Sequence, residues 1–171
     1  MIKLDIGGGT NKRGEEYTSV DLQNADVIAT MWALPFKDNS IHEIWTSHTL
    51  EHAPMAKVPV ALKEWFRVLR LGGRCIVQVP NFDYVAKYWL TGGDRIWAEA
   101  MVFGNQAHEG EFHKCAFTAS VLKADLEAAG FEVKRIELRW IHSQETLQAV
   151  CIKPNKDIQG TPGVGGLTIK P

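Results

Sequence analysis

The sequence predicts one α/β domain, and three observations support that prediction. A short apolar strand, residues 2–6, runs directly into three consecutive glycines at 7–9. A second strand, residues 17–22, carries an aspartate near its end. An amphipathic helix then leads into the near-continuous apolar run at 74–80, which is typical of a strand buried on both faces of a parallel sheet. At 171 residues, the chain has the length of a single domain with a substantial core.

Composition and charge exclude several classes of protein. The formal net charge is −1 and there is no basic run, so no nucleic-acid partner held by electrostatics is expected. A strand begins just after Met1, which argues against a signal peptide, and no apolar stretch is long enough to span a membrane. The cysteines Cys75, Cys115 and Cys151 are too widely spaced for a disulfide framework or a metal knuckle. A reduced, cytoplasmic location is therefore predicted.

The glycine turn after the first strand indicates a ligand site. Glycine is used where the backbone needs a positive φ or where another group must approach the main chain closely. Asp5 stands two positions before Gly7. A dinucleotide fingerprint would need a third glycine where the chain has Lys12, and the Gly-Lys-Ser/Thr ending of a P-loop is missing. The alternative interpretation is a plain loop.

The second strand adds an acidic residue at the position where nucleotide-binding α/β units hold a ribose. There, an acid accepts hydrogen bonds from both ribose hydroxyls, and Asp21 is placed to do so. The alternative is an ordinary turn aspartate. Seven residues separate Gly9 from Tyr17, which is too few for the usual crossover of a dozen or more. The first crossover helix is therefore predicted to be reduced to a turn or absent.

A third strand at 25–29 and a fourth at 42–47 follow, and the fourth leads into His48-Thr-Leu-Glu-His52. These five residues spell H-x-x-E-H, the inverted zinc-protease signature. That signature needs a helix that puts both imidazoles on one face, and a third ligand downstream. Because the motif here follows a strand, no metal site is predicted. The downstream cluster of His108, Glu109, Glu111 and His113 also matches no standard metal spacing.

Four motifs resemble the class I S-adenosylmethionine (SAM) methyltransferases, and in particular the type 11 methyltransferase subgroup. Motif I of that family, Asp/Glu-x-Gly-x-Gly-x-Gly, matches Asp5, Gly7 and Gly9, with Asn11 in place of the third glycine. Asparagine tolerates left-handed backbone better than most residues. The acid of the second strand, Leu-Pro-Phe before a polar turn and Leu-Glu-His after the fourth strand also match. The resemblance covers about residues 2–153.

This resemblance implies a Rossmann-like fold with a mostly parallel seven-stranded sheet and a C-terminal antiparallel hairpin. The N-terminal helices and the first crossover helix of the family would be reduced or absent. S-adenosyl-L-methionine is the implied cofactor. The family usually has an acid at the position of Thr30. Trp32 would stack on adenine, although core packing is the alternative for this side chain. The implied cofactor-binding residues are Asp5, Gly7, Gly9, Asp21, Leu22, Met31, Trp32, Ala33 and Ser47.

Local sequence patterns predict the helices and strands of the rest of the chain. Apolar residues at three- and four-residue spacing predict a helix at 57–71, ended by Gly72-Gly73 as a left-handed cap. The aromatic segment 81–117 is interpreted either as a lid that shapes a substrate pocket or as a helical cover. Thr118 is the predicted N-cap of a helix that ends near 129. Strands at 131–140 and 146–153 complete a domain of residues 1–153, before a flexible tail at 154–171.

The resemblance implies methyl transfer to a small-molecule, glycan or lipid-like acceptor. A hydroxyl or ammonium acceptor needs a general base, and histidine suits neutral pH. The candidates are His48, His52 and His113. Two alternatives stay open: a catalytically silent SAM-binding subunit that supports a partner, and an enzyme acting on a nucleotide or sugar nucleotide. The shortened first crossover also predicts that one wall of the cofactor pocket is absent. The cofactor is then held openly and weakly, or it is covered by the segment 82–117 or by a second subunit, and association in a homodimer is favoured.

Overall fold

The computed structural model describes residues 1–141 and 144–155 and contains one seven-stranded sheet. The strand order is β3-β2-β1-β4-β5-β7-β6. Strands β1 to β5 run parallel to one another, and β7 runs antiparallel to both β5 and β6. The mostly parallel sheet with a closing hairpin is thus confirmed. The strands are β1 (Lys3–Ile6), β2 (Tyr17–Asp21), β3 (Val27–Ile28), β4 (Ile41–Ser47), β5 (Leu69–Pro80), β6 (Glu132–Ile141) and β7 (Gln144–Ile152).

Helices α1 (Val58–Val68) and α4 (Ala119–Ala128) pack on each other and on the sheet. One stripe of α1 is buried, and its Trp65 is fully enclosed in the core. The indole Nε1 of Trp65 donates a hydrogen bond to the carbonyl of Met31 at 2.8 Å, so this helix also fixes the segment that follows β3. Thr118 caps α4 as predicted, because its hydroxyl accepts from the amide of Val121.

The segment between β1 and β2, residues 7–16, contains no helix, which confirms the predicted loss of the first crossover helix. The buried carboxylate of Asp5 closes this segment by accepting a hydrogen bond from the amide of Arg13 at 2.7 Å. The Arg13 guanidinium lies over the indole of Trp45, 3.5 Å from the ring centroid. The loop therefore covers part of the sheet with a cation–π contact instead of an apolar helix face.

The predicted end of the helix at 57–71 was wrong. Helix α1 ends at Val68, and β5 begins at the next residue and runs through both glycines. Gly72 has φ +70°, and a Cβ on Gly73 would lie 2.8 Å from the carbonyl oxygen of Arg70. The pairing of β5 with β4 shifts register at this point. The two glycines therefore allow an irregularity inside a strand and do not form a helix cap.

The first half of the aromatic segment 81–117 is helical. It forms α2 (Phe82–Leu90) and α3 (Arg95–Phe103), which pack against each other. Residues 104–117 then return to the sheet without regular structure apart from a short 3₁₀ helix, Glu109–Glu111. Of the predicted tail, residues 156–171 lie outside the described part of the chain.

Replacement of Leu62, which is fully buried in α1, tests this core. We expect Leu62→Ala to lower the free energy of unfolding by about 2–5 kcal/mol, because a cavity would remain where the side chain packs. The matched control is Lys63→Ala, one position along the same helix and exposed, with an expected change within about 0.5 kcal/mol. Urea denaturation measures both, and equal values for the two variants would contradict the assigned helix face.

Candidate functional site

The carboxyl ends of β1, β2, β3 and β4 meet at one edge of the sheet, because these strands are parallel. The chain order reverses between β1 and β4, and such a switch point opens a crevice where open α/β sheets bind ligands. A groove of about 670 Å³ lies there. That volume falls within the range of small-molecule sites, about 300–1,000 Å³.

Most of the sequence-predicted site residues line this groove. They are Gly7, Gly9, Asp21, Leu22, Met31, Trp32, His48 and His52. Asp5, Ala33, Ser47 and His113 lie outside the lining. Asp5 holds the loop after β1, and the hydroxyl of Ser47 donates to the side-chain oxygen of Gln78 at 2.8 Å. The binding role of each of these residues stays a prediction.

The glycine turn has the positive φ angles that its sequence predicts, at Gly7 (+84°) and Gly9 (+49°). A Cβ on Gly7 would lie 2.0 Å from the hydroxyl oxygen of Thr49, and one on Gly8 would lie 2.6 Å from a carboxylate oxygen of Asp5. At Gly9 the nearest atom, a carboxylate oxygen of Asp21, would be 3.6 Å away. Packing within the protein thus explains the first two glycines, and only the third leaves room for a ligand.

One side of the groove is suited to a nucleoside. The carboxylate of Asp21 is part-exposed at the end of β2, where its Oδ1 accepts from the amide of Leu22 at 2.6 Å. Met31 and Trp32 supply apolar surface. The hydroxyl oxygen of Thr30 is buried beside them and has no hydrogen-bond partner among the described residues. A bound base with polar edges would satisfy that oxygen, so these residues fit the adenosine part of SAM.

Three histidines converge at the other side of the groove. His48 has a left-handed backbone, with φ +52°, and its Nε2 lies 3.3 Å from the hydroxyl oxygen of Thr146. The rings of His52 and His113 meet edge to face with centroids 4.8 Å apart. Burial lowers the pKa of His113, which favours the neutral imidazole. The structure therefore brings together all three predicted general-base candidates.

Glu51 lies between these histidines and was missed as a functional residue in the sequence. Its side chain is 1 % exposed, and neither carboxylate oxygen has a hydrogen-bond partner among the described residues. His48 Nδ1 lies 3.4 Å from Glu51 Oε1, at ion-pair distance. In the sequence, Glu51 is part of the H-x-x-E-H string and carries no separate signal of its own. An unsatisfied buried carboxylate is rare and points to a function.

The strand order and the switch-point groove define a class I methyltransferase fold. Residues 4–77 match the type 11 family described as a methyltransferase domain. Over these residues the chain is similar to the SAM-dependent methyltransferases of type 11, and this similarity indicates S-adenosylmethionine as the cofactor. No curated protein matches the chain. Among the described residues, no helix is long and apolar enough to cross a membrane.

Solved structures of low sequence identity share the fold. A SAM-dependent methyltransferase of Methanosarcina mazei is 19% identical, with a TM-score of 0.65, 90% of this chain covered and 92% of that one. The 1,6-didemethyltoxoflavin-N1-methyltransferase of Burkholderia thailandensis, solved with S-adenosylhomocysteine, is 16% identical, with a TM-score of 0.60 and coverages of 90% and 71%. A complex of the Haloferax volcanii Trm112 methyltransferase activator with a methyltransferase is 15% identical, with a TM-score of 0.64, 91% of this chain covered and 83% of that one.

The glycine turn can be tested by a single methyl group. We expect Gly7→Ala to weaken binding of S-adenosylhomocysteine at least about tenfold, because the strained φ and the contact with Thr49 would displace the turn. Gly14→Ala is the control, since its Cβ would meet the side-chain end of Glu16, which is exposed and can move away. Calorimetric titration measures both. Normal affinity in a folded Gly7→Ala variant would remove the turn from the site.

Proposed function

We propose that the protein transfers the methyl group of SAM to a small-molecule, glycan or lipid-like acceptor. One observation supports this most directly. A single groove has a nucleoside-binding side at Asp21 and Trp32 and a polar side at His48 and His52. A cofactor laid across the glycine turn would then direct its sulfonium toward the histidines, where an acceptor could reach it.

SAM, when bound, supplies a methyl group on a positively charged sulfur that leaves as a neutral thioether. The protein then has to align an acceptor nucleophile in line with the methyl–sulfur bond and remove the acceptor's proton. Alignment is the larger contribution, because well-oriented reactions reach effective molarities of about 10⁵ M or more. General-base assistance adds about 10²–10⁴-fold for an acceptor that must lose a proton.

His48 is the best-placed base among the three histidines. It lines the groove, and Glu51 lies 3.4 Å from its Nδ1, where a negative charge would stabilise the imidazolium formed by proton transfer. The Nδ1 atoms of His52 and His113 lie beside neutral main-chain carbonyls, of Phe112 and Met101 respectively, which stabilise an imidazolium less than a carboxylate does. His113 is also outside the groove lining. We therefore assign His48 the proton-accepting role. His52 and His113 are assigned a structural role beside it.

A second hypothesis is a SAM-binding subunit without its own acceptor. The structural neighbour from Haloferax volcanii was solved together with an activator protein, which motivates this hypothesis.

The two hypotheses differ in one observable, the turnover of SAM with an acceptor. Incubation with SAM and a panel of small hydroxyl and amine compounds, glycans and lipid headgroups should yield S-adenosylhomocysteine and a methylated product with at least one acceptor class. Tight binding of S-adenosylhomocysteine with no turnover on any class would favour the silent subunit.

Replacement of Asp21 tests the nucleoside side of the groove. We expect Asp21→Ala to weaken S-adenosylhomocysteine binding at least about tenfold, because two charge-assisted hydrogen bonds to the ribose hydroxyls would be lost. Asp83→Ala, which removes an exposed carboxylate from the first turn of α2, is the matched control. Unchanged affinity in a folded Asp21→Ala protein would show that this carboxylate does not hold the ribose.

A further inference from the structure

The side chains around Glu51 form a cluster of metal-ligating groups. Glu51, His52 and His113 each offer one ligand atom, and the three atoms lie within 4.8 Å of one another. In the described part of the chain, neither oxygen of the buried Glu51 carboxylate has a hydrogen-bond partner, and His48 Nδ1, 3.4 Å from Oε1, offers a positive charge only when its ring is protonated. A buried carboxylate left in this state costs free energy unless a charge or a donor satisfies it. Something with a positive charge is therefore expected between these three side chains.

The two histidines are oriented as metal ligands are. His52 Nδ1 lies 3.1 Å from the carbonyl oxygen of Phe112, and His113 Nδ1 lies 2.8 Å from that of Met101. A carbonyl can only accept, so in each ring Nδ1 carries the proton. The neutral imidazole then keeps its lone pair on Nε2. Histidine ligands in metal sites are held by this kind of hydrogen bond from the second ring nitrogen.

We propose that Glu51, His52 and His113 bind one divalent transition-metal ion beside the cofactor groove. Two imidazoles and one carboxylate are a ligand set of Zn²⁺ sites that keep an open position, and of other first-row divalent ions. The ion would neutralise the buried carboxylate. His52 also lines the groove, so the ion would lie at the groove's edge.

Two of the three ligands, Glu51 and His113, border a small cavity that His52 does not line. The volume of this cavity, about 10 Å³, is close to the size of one water molecule. Ligands bound to one zinc ion at about 2.1 Å in a tetrahedron are about 3.4 Å apart. Uptake of the ion would therefore draw the three side chains together by up to about 1.4 Å, a movement that side-chain rotation can supply.

The ion would narrow the class of acceptor, and this part of the inference rests on the proposed function. A divalent ion binds oxygen ligands and lowers the pKa of a bound hydroxyl. The acceptor is then a molecule with a hydroxyl or carboxylate oxygen, held by the ion near the methyl group. With the ion bound, the lowered pKa of the hydroxyl, rather than the charge of Glu51, would favour transfer of the hydroxyl proton to His48, which lines the groove. The oxygen bonds to the methyl carbon as the methyl–sulfur electron pair stays on sulfur.

The proposal departs from the expectation of a metal-free site in the sequence. The H-x-x-E-H string supplies two of the three ligands, but not as two histidines on one helix. Its glutamate and second histidine bind, and the third ligand comes from residue 113, after α3. The sequence spacing that identifies a zinc protease is thus irrelevant to this site.

Zinc loading of the full chain tests the proposal without an acceptor. Protein stripped with a chelator, incubated with Zn²⁺ and dialysed should retain one ion per chain by elemental analysis. Glu51→Gln and His113→Gln should each weaken zinc affinity at least about tenfold in competition with a chromophoric chelator. The matched control is His42→Gln, a part-exposed histidine at the start of β4, which should load like the wild type.

Two further measurements keep the test decisive. Metal-free Glu51→Gln should melt no lower than the metal-free wild type, because the amide removes a buried negative charge. Zinc should raise the melting temperature of the wild type and of His42→Gln but not that of Glu51→Gln or His113→Gln. S-adenosylhomocysteine binding should survive in both ligand variants, which shows that they are folded. Substoichiometric zinc in the wild type, or equal loading of Glu51→Gln and wild type, would overturn the site. If the wild type itself did not bind S-adenosylhomocysteine, that result would instead contradict the proposed function.

Discussion

The buried carboxylate of Asp5 organises the part of the fold that departs most from an ordinary α/β unit. It belongs to the next-to-last residue of β1, accepts a hydrogen bond from the amide of Arg13, and sits where a Cβ on Gly8 would collide. Burial raises its pKa, yet the Arg13 amide and guanidinium oppose that shift. The segment 7–16, which replaces the usual crossover helix between β1 and β2, is thereby held by one side chain. The glycine turn keeps its shape because both of its flanks are tied to this carboxylate.

The remaining walls of the groove depend on equally specific contacts between the sheet edge and α1. Trp65 fixes the main chain at Met31, and Glu64 accepts a hydrogen bond from the amide of Leu34 at 2.7 Å. The Arg67 guanidinium holds Glu64 and the carbonyl oxygen of Phe36, and it lowers the pKa of the Glu64 carboxyl. Leu-Pro-Phe is therefore not itself a ligand-binding motif. It is the anchored end of the segment whose first residues line the groove.

The sequence predicted the sheet, the missing crossover helix and the cap at Thr118, because strand alternation, loop length and capping are local properties. It misplaced the end of α1, since a glycine pair is equally compatible with a helix cap and with an irregular strand. The position of Glu51 could not be predicted, because its burial beside His52 and His113 is produced by the tertiary fold. The positive φ of Gly7 agrees with the sequence, but Thr49 rather than a ligand occupies the space beside it, so its contact with the cofactor stays a prediction.

The central claim is that the groove at the β1–β4 switch point is a SAM site. The most direct measurement is calorimetric titration of the wild-type protein with S-adenosylhomocysteine, NAD and ATP in parallel. The residues of the groove predict saturable, one-to-one binding of S-adenosylhomocysteine. They predict much weaker binding of NAD and ATP, because the glycine turn lacks the third glycine of a dinucleotide site and the lysine of a P-loop. Tighter binding of NAD or ATP than of S-adenosylhomocysteine would contradict the account.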